Sequence, residues 1–335
     1  MKALVIANER RREILNNQSL VRIALIIIIC TVSTIVNPRF ANVNNIINIF
    51  QQISVLGIIA SGVGMLLVAG EIDISVGAQV SLIGVILAMI IQKVGGLPNG
   101  NPLIPMLVPF AIPIAVILAF LIGAIMGMIN GITVVKTKAP SFIITLGFSS
   151  MYSAIALLVT GGGSYMLFGR FQTLGRGKIF NFIPVSILFF LGTMTAAFIV
   201  LKYTKYGRFL YAIGGNKKAA YVSGINTRRI ILTAYVVVGI VNALAALILI
   251  SRVGSALANT GDSYSLDALA SVIVGGISLH GGKGDAISSF LGVVLIGLIS
   301  NSLVIMNVTP FLRGLVIGLV TIAAVTGGSL SDSRE

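Results

Sequence analysis

Long apolar runs recur ten times along this sequence, near 20–36, 46–69, 74–91, 103–129, 141–159, 182–201, 230–250, 268–279, 286–306 and 311–326. A helix needs about 20 residues to cross ~30 Å of hydrocarbon, and nine of the ten runs lie near or above that length. A chain of 335 residues would otherwise suggest about two soluble domains. With 10% charged residues it falls far below the ~25% of a soluble domain, so too few polar groups exist to cover a surface in water. Mean hydropathy is +1.04. A water-soluble enzyme is excluded. The expectation is an all-α, polytopic integral membrane protein with about ten transmembrane helices.

The run at 268–279 is only 12 residues long and suits a broken or re-entrant segment. The 38 glycines fit that architecture, because glycine is more frequent in membrane helices than in soluble ones. One cysteine, Cys30, leaves no internal disulfide framework, and one histidine, His280, leaves no multi-histidine metal centre. No metal is expected.

Formal net charge is +14, from 23 Lys and Arg against 9 Asp and Glu. In a soluble chain that would point to nucleic acid; between membrane spans it points to basic loops on the cytoplasmic side. With the N-terminus inside and ten crossings, 16 of the basic residues fall inside and seven outside. Arg10, Arg11 and Arg12 precede an apolar run without a small-residue cleavage site, so 1–19 reads as a cytoplasmic lead-in rather than a signal peptide. The transmembrane domain is expected over 20–326 and a short tail over 327–335. Two five-helix halves of opposite orientation would form an inverted repeat. Gly70-Glu71-Ile72-Asp73 and Gly261-Asp262 followed by Ser265-Leu266-Asp267 stand at matching places in the halves. Simple helix capping explains that likeness as well.

Three segments carry the information. In 70–77, two of nine acidic residues lie between apolar runs, where acids usually face a bundle interior or an aqueous cavity. Asp73 or Ser75 suits a helix cap, and a hinge or pathway wall is the sharper reading. The loop 202–229 holds seven basic residues (Lys202, Lys205, Arg208, Lys217, Lys218, Arg228, Arg229) and no acid. Within it Asn216 is a good N-cap and Gly224 a natural terminator for a helix of about two turns. So short a helix is marginal alone and makes sense against a partner surface. The third segment, 266–284, is rich in small residues and paired glycines. It resembles a phosphate loop but fails its spacing, since Gly281-Gly282 stands where Gly-Lys is required and Gly284 follows Lys283. His280 reads as a lone polar group at the membrane interface. Pro105, Pro109 and Pro113 should delay or kink the fourth span, and Pro140 should open the fifth.

At these residues the sequence resembles the permease subunits of ribose-type ABC importers, which serve monosaccharides and the autoinducer-2 sugar signal. Asn48-Ile49-Phe50-Gln51-Gln52 resembles the start of that family's second helix. Glu71-Ile72-Asp73-Ile74-Ser75-Val76-Gly77 is similar to its Gly-Ile-Asp-Leu-Ser-Val-Gly signature, with Glu71 at the usual glycine. Phe142 through Gly147 resembles its Phe-Ile-x-Thr-Leu-Gly. Tyr206 through Gly224 is similar to its coupling loop, and Asp267 through Gly284 to its Leu-Asp-Ala…Gly-Gly…Gly-Gly stretch.

The resemblance implies a permease subunit in the bacterial cytoplasmic membrane, its N-terminus inside, without a nucleotide site of its own. ATP and Mg would belong to a separate cytoplasmic ATPase. The other partners would be a second permease subunit, identical or paralogous, a periplasmic or lipid-anchored sugar-binding protein, and the lipid bilayer, with no nucleic acid. ATPase coupling falls on Gly215, Asn216, Lys217, Ala219, Ala220, Ser223 and Gly224. Pathway or gate roles fall on Asp73, Ser75, Gly77, Thr145, Asp267, Gly275 and Gly276. Nucleoside uptake is the alternative cargo. An ATP-independent secondary transporter is the alternative class, for which only Glu71, Asp73 and Asp267 are available as ion-coupling groups within the membrane.

Overall fold

A computed structural model describes residues 18–97, 102–137, 139–180 and 182–332. The expected lead-in 1–19 lies almost entirely outside the described residues. Among the described residues, seven helices are long and apolar enough to cross a membrane. They are α2 (Val43–Val68), α3 (Val76–Val94), α4 (Ala111–Lys136), α5 (Ser141–Thr160), α7 (Val185–Tyr203), α10 (Thr227–Val253) and α12 (Ala286–Ile305). Three further helices, α1 (Gln18–Val36), α11 (Ser263–Val274) and α13 (Pro310–Asp332), hold shorter apolar stretches that coincide with the three remaining runs. The short helices α6 (Thr173–Arg176), α8 (Lys205–Gly215) and α9 (Lys217–Val222) lie in the connections. The chain is an all-α polytopic membrane protein.

Helix ends follow the local chemistry. Asn42 caps α2 by accepting from the Asn44 N–H at 2.9 Å. At the other end Gly70 adopts φ +75°, a left-handed turn that costs glycine little, while the Gly70 and Glu71 N–H groups bond Leu67 and Leu66 carbonyls. A 3-10 turn over Pro105–Phe110 delays α4 to Ala111, as the proline spacing predicts. Pro140 sits one position earlier than expected, as the cap preceding α5, where its carbonyl accepts from Ile143. The expected tail from 327 is helical instead: α13 continues to Asp332.

α2 forms the centre, with 89% of its apolar window buried, and packs against α10, α7, α12 and α11. α5, with 17% buried, lies at the periphery and turns its apolar residues outward. The most extensive helix pair is α4 with α10. There Gly123 and Gly239 face each other so closely that a Cβ on either would strike the other's carbonyl, and Gly127 meets the Tyr235 carbonyl in the same way. Small residues one turn apart are what let two membrane helices approach backbone to backbone.

Cross-contacts fix which ends lie together. At one end the side-chain amide of Asn37, just past α1, donates to the Ile305 carbonyl at 3.3 Å, and Asn45 pairs with Asn301 at 3.0 Å. A two-stranded ribbon, β1 (Ser164–Met166) with β4 (Ser255–Leu257), lies against α3 near Gln92 at that end. A second ribbon, β2 (Lys178–Ile179) with β3 (Ile183–Pro184), folds nearby before α7. At the opposite end Arg22 reaches Ser288, near the starts of α1 and α12. The chain from β4 to Gly275 therefore passes between the ends as turns over 258–262 followed by α11. At 1.5 Å per residue, twelve residues give only ~18 Å of helix, about half of what a crossing needs. The broken segment expected at 268–279 is present, and its helix starts five residues earlier, at Ser263.

Candidate functional site

The loop 70–75 links the end of α2 to the start of α3 and is held from three sides. Ile72 N–H donates to Ser141 Oγ at 3.0 Å and Ile74 N–H to Thr145 Oγ1 at 3.1 Å, so the first turn of α5 satisfies two loop amides. Tyr235 OH, from α10, donates to the Ile72 carbonyl at 3.3 Å. Thr145 is wholly buried and spends its own proton on carbonyls of the loop and of its own helix. Irregular backbone within a membrane bundle must find partners, and these side chains supply them.

Asp73 lies at the loop's centre, 4% exposed. Its Oδ1 accepts from the Ser75 N–H at 2.8 Å and the Ser75 hydroxyl at 2.6 Å. Its Oδ2 accepts from the side-chain amides of Gln79 and Asn130, both at 3.3 Å. Ser75 Oγ in turn accepts from the same two amides at 2.8 Å. The network extends outward: Tyr152 OH donates to Asn130 Oδ1 at 2.8 Å, and Asn242 donates to Gln79 Oε1 at 3.0 Å. Asn130, Gln79 and Asn242 are fully buried. Of the two expected caps, Asp73 takes the Ser75 N–H, while Ser75 makes no capping bond and serves as a junction instead. The sequence reading missed Gln79, Asn130, Tyr152 and Asn242. Lone amides within long apolar helices were the signal that could have found them.

Gly77 opens α3 against the second loop singled out by sequence. A Cβ there would strike the Gly261 carbonyl and Ser265 Oγ, and the Gly77 N–H donates to Ser265 Oγ at 2.9 Å. Reciprocally, the Gly261 N–H donates to Ser81 Oγ at 2.8 Å, and Ser81 reaches Asp262 at 3.3 Å. The two glycine-acid loops thus meet in the interior at the first turns of α3 and α11. Asp267 lies one turn further along α11, partly buried. Gly275 and Gly276 are elsewhere. Gly275 ends α11 where a Cβ would strike the Ser288 carbonyl, and Gly276, at φ +98°, abuts the Arg22 guanidinium. Their surroundings are those of close packing between α11, α12 and α1.

The helix expected at 216–224 is present as α9. Asn216 Oδ1 accepts from the Ala219 N–H at 2.9 Å. Gly224 takes φ +85°, and the Gly224 and Ile225 N–H groups bond Tyr221 and Ala220 carbonyls, closing a Schellman turn. Asn216, Lys217, Lys218, Ala219 and Ser223 are exposed, whereas Ala220 is 4% exposed and seats the helix on the chain's own core. An ATPase contact through Ala220 is therefore at odds with its position. The apolar groups that α9 does present are Tyr221 and Val222, 71% and 85% exposed, which the sequence reading passed over.

Loop 70–75 and α9 share one cavity of about 480 Å³, lined by residues 69–72, 139–142, 213–217 and His280. Lys217 Nζ spans it to reach Glu71 Oε1 at 2.7 Å. The Gly282 N–H bonds the Val68 carbonyl at 2.9 Å beside Gly214, so the three informative segments converge at one end of the bundle.

A bundle of apolar helices with a half-helix in its interior, a pinned polar loop and a short helix at one end has the architecture of a polytopic membrane protein. The chain belongs to the family described as branched-chain amino acid transport system / permease component, matched over residues 45–325, and within it is similar to the ribose-type import permeases. The ribose import permease protein RbsC of Bacillus subtilis is 38% identical over 90% of either chain. The protein of the same name from Haemophilus influenzae is 37% identical over 93% of each. The galactose/methyl galactoside import permease protein MglC of Escherichia coli K12 is 31% identical over 89% of this chain and 90% of its own. No solved structure matches significantly.

Proposed function

We propose that this chain is the membrane-spanning permease subunit of a binding-protein-dependent ABC importer, and that it carries a monosaccharide inward across the bacterial cytoplasmic membrane. What carries the reading is the 37–38% identity, over some nine-tenths of both chains, to proteins named for ribose import. ATP would be hydrolysed with Mg on a separate cytoplasmic subunit docked on α9, whose free surface holds Tyr221, Val222, Ala219 and Ser223. A second permease subunit completes the pathway, and a periplasmic or lipid-anchored sugar-binding protein delivers the cargo to the ribbon end.

Loop 70–75 is the gate in this scheme. Its backbone is fixed by Thr145 and Ser141 of α5 and by Tyr235 of α10, and its carboxylate by α3 and α4. A change in the packing of those helices must therefore break or remake the bonds of Asp73, which gives the loop two arrangements rather than a continuum. The test is reconstitution. Membranes expressing the chain with its neighbouring ATPase and binding protein should retain the ATPase through purification and take up ribose only with internal ATP. Ribose uptake by this chain alone, in vesicles without nucleotide, would sink the proposal.

A further inference from the structure

We infer that the Glu71–Lys217 ion pair is a strut that makes loop 70–75 follow α9, so that Lys217 acts as a positioning residue for the gate rather than as part of the ATPase contact. The inference rests on the coupling reading of α9 given above. Lys217 is the first residue of α9 and Glu71 the third residue past the end of α2, 146 positions apart in sequence. Their 2.7 Å bond joins α9 directly to the loop whose next acidic residue, Asp73, holds the start of α3.

The two partners are not equivalent. Lys217 has a side chain 57% exposed and can be hydrated if its partner leaves. Glu71 has a side chain only 8% exposed while the pair is made, so only the opening left by Lys217 in the shared cavity would hydrate it. An exposed ion pair contributes little by itself, but removing the partner of a buried charge is costly. A movement of α9 that left Glu71 behind would strand that carboxylate. The less costly course is for the loop to move with α9. Beside the pair, Gly70 and Gly281 meet Gly214 near the end of α8, three residues before Lys217, so loop 70–75 and the lead into α9 touch backbone to backbone.

The asymmetry shapes the test. In proteoliposomes holding the complete transporter, ribose and then galactose serve as probes, with sugar moved per ATP hydrolysed and ATPase retained on purification both measured. Lys217→Gln should leave the ATPase bound yet lower sugar per ATP several-fold. Glu71→Gln should lower it less, since it leaves a hydrated lysine and no stranded carboxylate. Lys217→Arg, and the exchanged pair E71K/K217E, should recover most of the ratio. Wild-type ratios in both single Gln variants, or an exchange no better than either, would overturn the strut. Loss of the ATPase from Lys217→Gln alone would also overturn it, by making Lys217 a docking contact. If the unaltered chain retains no ATPase, the coupling reading itself fails and the strut falls with it.

Discussion

Asp73 illustrates how a single residue is specified by its donors. The four groups that reach it are neutral and are placed by three local devices: the Ser75 N–H and hydroxyl by the loop, Gln79 by the first turn of α3, Asn130 by α4. Replacing the carboxylate by an amide turns one of its oxygens into a donor, and either orientation of that amide sets N–H groups against N–H groups. A buried polar group left unpaired costs ~1–3 kcal/mol, which is about a tenfold shift in a two-state loop or more. Asp73→Asn should therefore lower ribose uptake about tenfold while the amount of protein in the membrane stays within about twofold. Unchanged uptake kinetics would leave Asp73 a helix cap and nothing else. Asp73 itself was legible from sequence, because an acid between apolar runs is conspicuous. Its amide donors stand out in sequence only as lone polar groups in apolar helices, and their convergence on Asp73 was not legible, because helix packing that no local pattern encodes places Asn130 there.

Elements differ in how far their own sequence determines them. α9 was readable to within a residue because its start and stop depend on local chemistry: a side-chain cap at Asn216 and a left-handed glycine at Gly224. Which face it would bury was not readable in six residues, and this separates Ala219 from Ala220. Ala219→Glu should leave the chain folded and release the ATPase, whereas Ala220→Glu should unseat α9 and lower the thermal midpoint of the purified permease; equal effects in both assays would mean the two alanines share one environment. The ribbon of β1 with β4 escaped prediction because a three-residue ladder between segments some 90 positions apart has no period of its own. The α4–α10 contact was foreshadowed only by glycine content. Gly127→Ile has no room, since the obstacle is the Tyr235 backbone, and it should destabilise the protein by the upper part of the ~1–3 kcal/mol range for overpacking, read as a lower thermal midpoint in detergent. Gly192→Ala, with no heavy atom within 4 Å of the added carbon, should leave that midpoint unchanged or raise it. A Gly127→Ile protein as stable as wild type would mean that the two helices do not cross at their glycines.

At the scale of the whole molecule, the open matter is how many times the chain passes through the bilayer, and the contacts between helix ends make that question sharp. His280 and Lys217 line the same cavity, so the two must face the same compartment. Asn37, Asn45, Asn301 and Ile305 meet at the opposite end, and the passage through 258–262 and α11 joins one end to the other. If the basic loop 202–229 is cytoplasmic, as its seven positive charges favour, the His280 end faces inward and the ribbon end outward. Cys30 is the single native thiol, so a Cys30→Ser background permits a direct test. In intact cells a membrane-impermeant thiol reagent should label Ser164→Cys in the β1 strand and Asn307→Cys beyond α12. It should reach Lys218→Cys and His280→Cys only after permeabilisation. All four side chains are exposed at their positions, so failure to label reports the compartment rather than burial. Labelling of His280→Cys but not Lys218→Cys from outside would mean that α11 and its lead-in re-enter without crossing. The shared cavity would then be wrong, and with it the convergence of loop 70–75, α9 and the His280 loop on which coupling depends.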